Sequence, residues 1–306
     1  MSFSHAFFGL QSVSMRSLSV VIIVVGCFLA STNIATPTLS KEPSHIKVMT
    51  YNIRYDEPQD KENAWPNRKK LVASMVRFHQ ADLVGVQEAL ARQLKDLEKL
   101  LPDYSWVGVG RADGKSAGEF SAVLYRRSRF KHLESSTFWL SETPQVPSAG
   151  WDAAYPRIVT WVKLQDLQTR KIFFHFNTHF DHRGVRARNE SARLLLDRIG
   201  QIARNLPAVV TGDFNFTESS DGYKLLTGKN SEKASVLRDA QYLSESGHHG
   251  PTSTFNEFKA LIPGRKIDYV FVKGSIRVLR HGVLSDTWDG RLASDHLPVL
   301  AKIALE

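Results

Sequence analysis

The chain has 306 residues, 42% hydrophobic and 23% charged, with 40 Lys+Arg against 31 Asp+Glu and a formal net charge of +9. This is ordinary globular composition and predicts one or two domains, with an anionic partner suggested by the charge. One cysteine, Cys27, excludes an intramolecular disulfide framework and any cysteine-rich zinc or iron–sulfur site, leaving His, Asp, Glu and Asn to hold a metal.

The first 44 residues carry only Arg16, Lys41 and Glu42 as charges, and Leu18 to Ala30 is apolar apart from Ser19. A basic start followed by a short apolar run is the pattern of an export signal, since a spanning helix needs roughly 20 apolar residues. Residues 1–30 therefore read as a signal peptide or N-terminal anchor and 31–44 as a linker. The expected product is exported, periplasmic or secreted. The alternative is membrane anchorage through residues 17–40, the one route to a membrane that the sequence offers.

From residue 45 onward, short apolar runs alternate with helical patterns. Strands are expected at Val48 to Ile53 and Asp82 to Gln87, with helices at Arg68 to Phe78 and Ala89 to Leu101. Strand-like runs follow at Ser105 to Gly110, Ser121 to Tyr125, Lys131 to Trp139, Ile158 to Leu164 and Ile172 to Phe180. A long helix is expected from about Arg186 to Arg204, then strands at Ala208 to Gly212, Ile267 to Val272, Val278 to Leu284 and Leu297 to Ile303. Many strands and few helices, with no repeat, predict a single α/β domain over 45–306 built on two packed sheets.

The polar residues sit where strands end. Asn52 closes Val-Met-Thr-Tyr-Asn, and Glu88 follows Leu-Val-Gly-Val-Gln. From Phe174 to Asp181 the period is two, with His175, Asn177, His179 and Asp181 on one face and phenylalanines on the other. Asp213 and Asn215 share a face after Thr211-Gly212, while Asp268 and the pair Asp295-His296 lie beside the last strands. Glu88 and Asp295 are hard oxygen ligands suited to Mg²⁺ or Mn²⁺. Asp213 is placed to hold or activate water, Asn215 to orient it or a phosphate, and His296 to stabilise negative charge. Such a set suits phosphoryl transfer, which needs positioning and electrostatic stabilisation more than covalent chemistry. His175 reads as a packed strand histidine, His248-His249 as a loop, and Arg126-Arg127 with Arg129 and Lys131 as a solvated turn.

The ordered motifs T-Y-N-I (50–53), V-Q-E (86–88), N-T-H (177–179), G-D-F-N (212–215), I-D-Y-V (267–270) and S-D-H-L-P (294–298) resemble the endonuclease/exonuclease/phosphatase superfamily. The resemblance spans about 45–305 and lies nearest a bacterial branch similar to the nocturnin-type members. It implies a DNase I-like four-layer α/β sandwich, two packed, mainly antiparallel sheets flanked by helices, with the site between the sheets. It also implies Glu88 as principal metal ligand, with Asn52 and Asp295 contributing, Asp213 acting on the attacking water, and Asn215 and His179 at the phosphate. His296, held by Asp268, would stabilise the transition state. Arg54 replaces an acidic residue found in some members and adds a cation. The segment 138–157 resembles a rim in which Arg157 reaches a phosphate and Trp151 or Tyr155 stacks on a ring. Core positions for Trp139 and Trp151 are the alternative.

The resulting expectation is a monomeric Mg²⁺- or Mn²⁺-dependent hydrolase of an anionic phosphoester: nucleic acid, nucleotide, inositol phosphate or phospholipid headgroup. A secreted lipid- or inositol-phosphate phosphodiesterase is one alternative, and an inactive exported binding module is another. A nuclease reading draws on Arg183, Arg186, Arg188 and Arg193.

Overall fold

A computed structural model describes residues 44–228 and 237–306. The proposed leader, residues 1–30, and all of the linker except Ser44 lie outside the described residues. Thirteen strands are described: β1 (Ile46–Asn52), β2 (Leu83–Gln87), β3 (Tyr104–Val107), β4 (Val123–Arg126), β5 (Phe130–Trp139), β6 (Ile158–Asp166), β7 (Ile172–His179), β8 (Ala208–Asp213), β9 (Arg238–Asp239), β10 (His248–His249), β11 (Asp268–Lys273), β12 (Ile276–Val283) and β13 (Val299–Leu305). The helices are α1 (Trp65–Phe78), α2 (Ala91–Leu100), α3 (Val185–Ala203), α4 (Asp221–Thr227) and α5 (Ala240–Leu243). Among the described residues no helix is long and apolar enough to cross a membrane.

The strands form two sheets, β10-β12-β13-β1-β2-β4-β3 and β5-β6-β7-β8-β11-β9. Pairing is antiparallel except at β1–β2, β7–β8 and β10–β12, so the sheets are mixed rather than purely antiparallel. Three apolar layers hold the sandwich together. Val48, Leu83, Val162, Phe173, Val209 and Ile303 fill the space between the sheets. Val72, Val76, Leu94 and Leu97 of α1 and α2 cover the outer face of the first sheet. Leu195 and Ile199 of α3, with Tyr223 and Leu226 of α4, cover the phenylalanine face of the second. The expected four layers are thus observed, each sheet buried on both faces.

The sheets touch where Gly85 of β2 meets β7 and β8. A Cβ there would lie 2.1 Å from Thr211 Oγ1 and 2.4 Å from Asn177 Oδ1, so only glycine permits the approach. Asn177 uses it, donating from Nδ2 across the seam to the carbonyls of Val86 and Ala122, each at 2.9 Å. Asn177 is therefore a staple between the sheets, although its motif neighbour His179 reaches the site.

Three local expectations need correction. Helix α1 starts at Trp65, three residues early, because Pro66 sits in the first turn where its missing N–H costs nothing. His248-His249 is a short strand paired with β12, and His248 Nδ1 lies 3.0 Å from His281 Nδ1. Arg129 is buried rather than solvated: it ion-pairs Asp166 at 2.8 Å, joining β5 to β6.

Candidate active site

Two of the three parallel pairs carry the candidate site residues. Because β1–β2 and β7–β8 are in register, Asn52 lies beside Gln87 and His179 beside Asp213, and all four strands end at the same edge of the seam. Antiparallel β11 starts there too, with Asp268 opposite Asp213. The chain then turns sharply at Arg54, Glu88 and Asn215, which have φ of 55°, 63° and 51°. Non-glycine residues in this left-handed region are strained, and here the strain folds the side chains back over the seam. Buried Arg68 steadies the first of these turns by donating to the carbonyls of Ile53, Arg54 and Asn63.

Arg54, Glu88, His179, Asp213 and Asn215 line a cavity of about 530 Å³ together with Asp295 and His296. Asn52, fully buried, donates from one amide nitrogen to Glu88 Oε1 and Asp213 Oδ2, both at 3.0 Å, and its oxygen accepts the Arg54 N–H. It thus spaces the two carboxylates. Burial opposes ionisation of Glu88, but the charge of His296, the Asn52 amide and the Tyr55 N–H hold its carboxyl below the usual range. Asp213 goes the other way: burial and the facing Asp268 push it up to about 7. Asp295 is raised by burial and by Glu88.

His296 Nδ1 lies 2.8 Å from Asp268 Oδ2, and its Nε2 is 3.7 Å from Asp213 Oδ2. Burial disfavours charge on this imidazole, yet Asp268 and Asp213 outweigh it and push the pKa up to about 10. It is therefore an imidazolium at neutral pH. His179, equally buried, is held well below its ordinary value by burial and by Arg157 and Arg111. Asn215 Nδ2 donates to both the Phe180 carbonyl and His179 Nε2, each at 3.0 Å. The amide orientation is fixed by that carbonyl, so Nε2 is the lone-pair nitrogen and the proton of His179 sits on Nδ1.

Among the rim residues, Arg157 is buried with Nε at 3.3 Å from Asp181 and Nη2 at 2.9 Å from His182, while Nη1 has no partner among the described residues. Tyr155, half-exposed, stacks on His182 and lies under the Arg111 guanidinium. Arg54 lines the cavity but is engaged by Asp60 at 2.9 Å, with Asp295 at 3.9 Å. Trp151 is not brought to the cavity; its backbone N–H is tied to the Glu142 carboxylate. Trp139 is a core residue whose Nε1 donates to the Arg111 carbonyl.

Sequence reasoning missed Arg111 and Glu119, which pair at 2.7 Å with Glu119 Oε2 3.8 Å from His179 Nδ1. They lie in a loop with no periodicity or motif, so no sequence signal marks them. Ser294, quoted in the S-D-H-L-P motif but given no role, donates to the Asn52 carbonyl, and Thr254, which sequence reasoning missed, accepts the Ile267 N–H beside Asp268 with its hydroxyl. Both brace the site from behind.

Two groups, Glu88-His179-Asp213 and Asp213-Asp268-His296, place ligand-type atoms within 4.8 Å of one another. The acidic oxygens of Glu88 and Asp295 suit a hard divalent cation, which would also relieve the crowding that raises Asp213 and Asp295. The donor set therefore fits such an ion.

The sequence model of the Endonuclease/Exonuclease/phosphatase family matches residues 49–296. An endonuclease/exonuclease/phosphatase from Bacteroides vulgatus is 42% identical, covering 86% of this chain and 100% of its own, with TM-score 0.81. A mannosyl-6-phosphatase from Bacteroides thetaiotaomicron is 39% identical, covering 85% and 100%, with TM-score 0.79. The human nocturnin catalytic domain, 20% identical over 87% of this chain and 95% of its own, shares the fold at TM-score 0.68. Two curated relatives, uncharacterised proteins of Acanthamoeba polyphaga mimivirus, are 29% and 22% identical over 49% and 84% of this chain, which spans 59% and 43% of their lengths. With fold, site and family match in agreement, the chain belongs to the endonuclease/exonuclease/phosphatase family of phosphoester hydrolases.

Proposed function

We propose that the protein is a divalent-metal-dependent phosphomonoesterase whose substrates are small phosphorylated carbohydrates. One observation carries this reading: Arg157 is 3% exposed, lines the cavity, and keeps Nη1 without a partner among the described residues. A buried unpaired guanidinium N–H is costly unless an anion completes it. With Arg111 and imidazolium His296 on the same cavity, the wall suits the dianion of a terminal phosphate better than the single charge of a diester. The similarity to a mannosyl-6-phosphatase over that protein's whole length supports a sugar phosphate.

Glu88 and Asp295, adjoined by Asn52, would hold the ion, which supplies Lewis-acid polarisation of the phosphoryl group and a more acidic water. Asp213, with a pKa near neutrality and Oδ2 turned into the site, takes the proton of the attacking water. His296 donates from Nε2 to the oxygen on which charge develops, while Asp268 keeps its ring oriented and cationic. Arg157 binds the remaining phosphoryl oxygens. The water oxygen bonds to phosphorus as the ester P–O bond breaks, and the leaving oxygen gains a proton to balance the one Asp213 removed, releasing the free sugar and inorganic phosphate. The leader-like segment at residues 18–30 supports action outside the cytoplasm.

A panel on the purified protein tests this: mannose 6-phosphate, aryl phosphomonoester, aryl phosphodiester, RNA and sphingomyelin, with Mg²⁺, Mn²⁺ or chelator. Monoesters should exceed the diesters by about tenfold or more in kcat/KM, and chelation should abolish turnover. Faster diester hydrolysis would overturn the monoesterase reading. No turnover with any member would favour an inactive binding module.

A further inference from the structure

The site cavity continues past the phosphate position. A second cavity of about 510 Å³ shares His182, Asn215, Arg265 and Ile267 with the first, so the two form one trough. Its own walls come from the first turns of α3 and from the Thr217–Asp221 turn that leads into α4.

The chemistry of those walls is specific. Asn189 offers an amide with no hydrogen-bond partner among the described residues, which leaves two donors and an acceptor for a ligand. Thr217 Oγ1 and Ser219 Oγ lie 3.0 Å apart, and once one donates to the other a hydroxyl proton remains for the cavity. Arg188 is tied by Nη1 to the Asp181 carbonyl, and Asp221 offers the opposite charge. Phe216 is 5% exposed and belongs to the core, so the trough has no stacking face there. The cations there are Arg188, already tied, and Arg265, which lies over the Phe255 ring, while Asp221 has Lys224 at 3.6 Å, so the walls give a nucleic acid strand neither a continuous row of cations nor an aromatic platform. Neutral hydroxyls would find matched donors and acceptors.

We propose that the second cavity is a subsite for an additional, unphosphorylated sugar of the leaving group, making the preferred substrate a phosphorylated oligosaccharide rather than a free sugar phosphate. This rests on the phosphomonoesterase reading above.

The test compares mannose 6-phosphate with 6-phosphomannobiose as substrates, and measures binding of unphosphorylated mannobiose by chemical-shift titration. Wild-type protein should favour the disaccharide by about tenfold or more in kcat/KM, mostly through KM. Asn189→Leu and, separately, Ser219→Ala should reduce that ratio to about threefold or less. Ser219 is exposed, so its variant retains the fold. If neither phosphosugar is turned over but mannobiose binds and Asn189→Leu abolishes binding, the subsite stands and the phosphatase reading falls. Equal kcat/KM for the two phosphosugars overturns the subsite, and so does absence of both turnover and mannobiose binding.

Discussion

Two stretches of the same seam, built from the same residue types, behave in opposite ways. Deep between the sheets, His175, Asn177, Thr211 and Gln87 pair with one another through neutral groups: Gln87 Nε2 and Thr211 Oγ1 both donate to Asn177 Oδ1, at 2.7 and 2.9 Å. His175 Nε2 sits 2.8 Å from Thr211 Oγ1, and burial drives its pKa down to about 3. Four residues further along the same strand, at the mouth, His179 meets Glu119 and Asp213, while His296 across the seam is pushed up to about 10. Burial is comparable in the two places. What differs is whether a charged group has a compensating partner, so one stretch becomes scaffold and the other keeps an unsettled charge balance that the proposed phosphate and cation would complete.

The comparison is broken most severely at Asp213. Asp213→Asn should lower kcat by about 10³-fold, with a melting temperature no lower than wild type because a carboxylate crowded by Asp268 is removed. Steady-state kinetics and calorimetry check both halves. Asp268→Asn should cost about 10²-fold in kcat by releasing the imidazolium of His296, and NMR titration of that ring should show its pKa falling toward the ordinary value.

At the scaffold end the expected effects fall on stability. Asn177→Leu should destabilise the fold by about 2 to 4 kcal/mol, since Gln87 and Thr211 lose an acceptor and the Val86 and Ala122 carbonyls lose a donor. Urea unfolding measures it. The last prediction is a pH slope. His175 titrates near 6.5 in the unfolded chain and about 3 when folded. Between those values the unfolded state binds a proton that the folded state refuses, so this contribution is intact above pH 6.5 and is lost as pH falls toward 3. His175→Gln should flatten the acid limb of a stability-against-pH curve by up to one proton.

The amino-acid sequence determined most of the frame by itself. Period-two alternation in β7 separated the phenylalanine face from the polar face, and apolar runs located the long strands and α1 to α3. Ordered strand-end motifs brought Asn52, Glu88, Asp213, Asn215, Asp268, Asp295 and His296 into one hypothesis. Short elements such as β9, β10, α4 and α5 were not legible, because two to seven residues carry too little periodicity. Tertiary structure alone decided the rest. Gly85 matters only because Thr211 and Asn177 lie against it, and Asn177 becomes a staple only because carbonyls of the other sheet come within 2.9 Å. Arg111, Glu119 and Asn189 enter the trough through loop and helix placement, and Trp151 stays out of it for the same reason. The protonation of His175 and His179 was likewise invisible in the chain, whereas a cationic His296 followed from the resemblance that pairs it with Asp268. Three histidines have one intrinsic acidity, and only the partners that the fold packs against each decide which remains neutral and which carries charge.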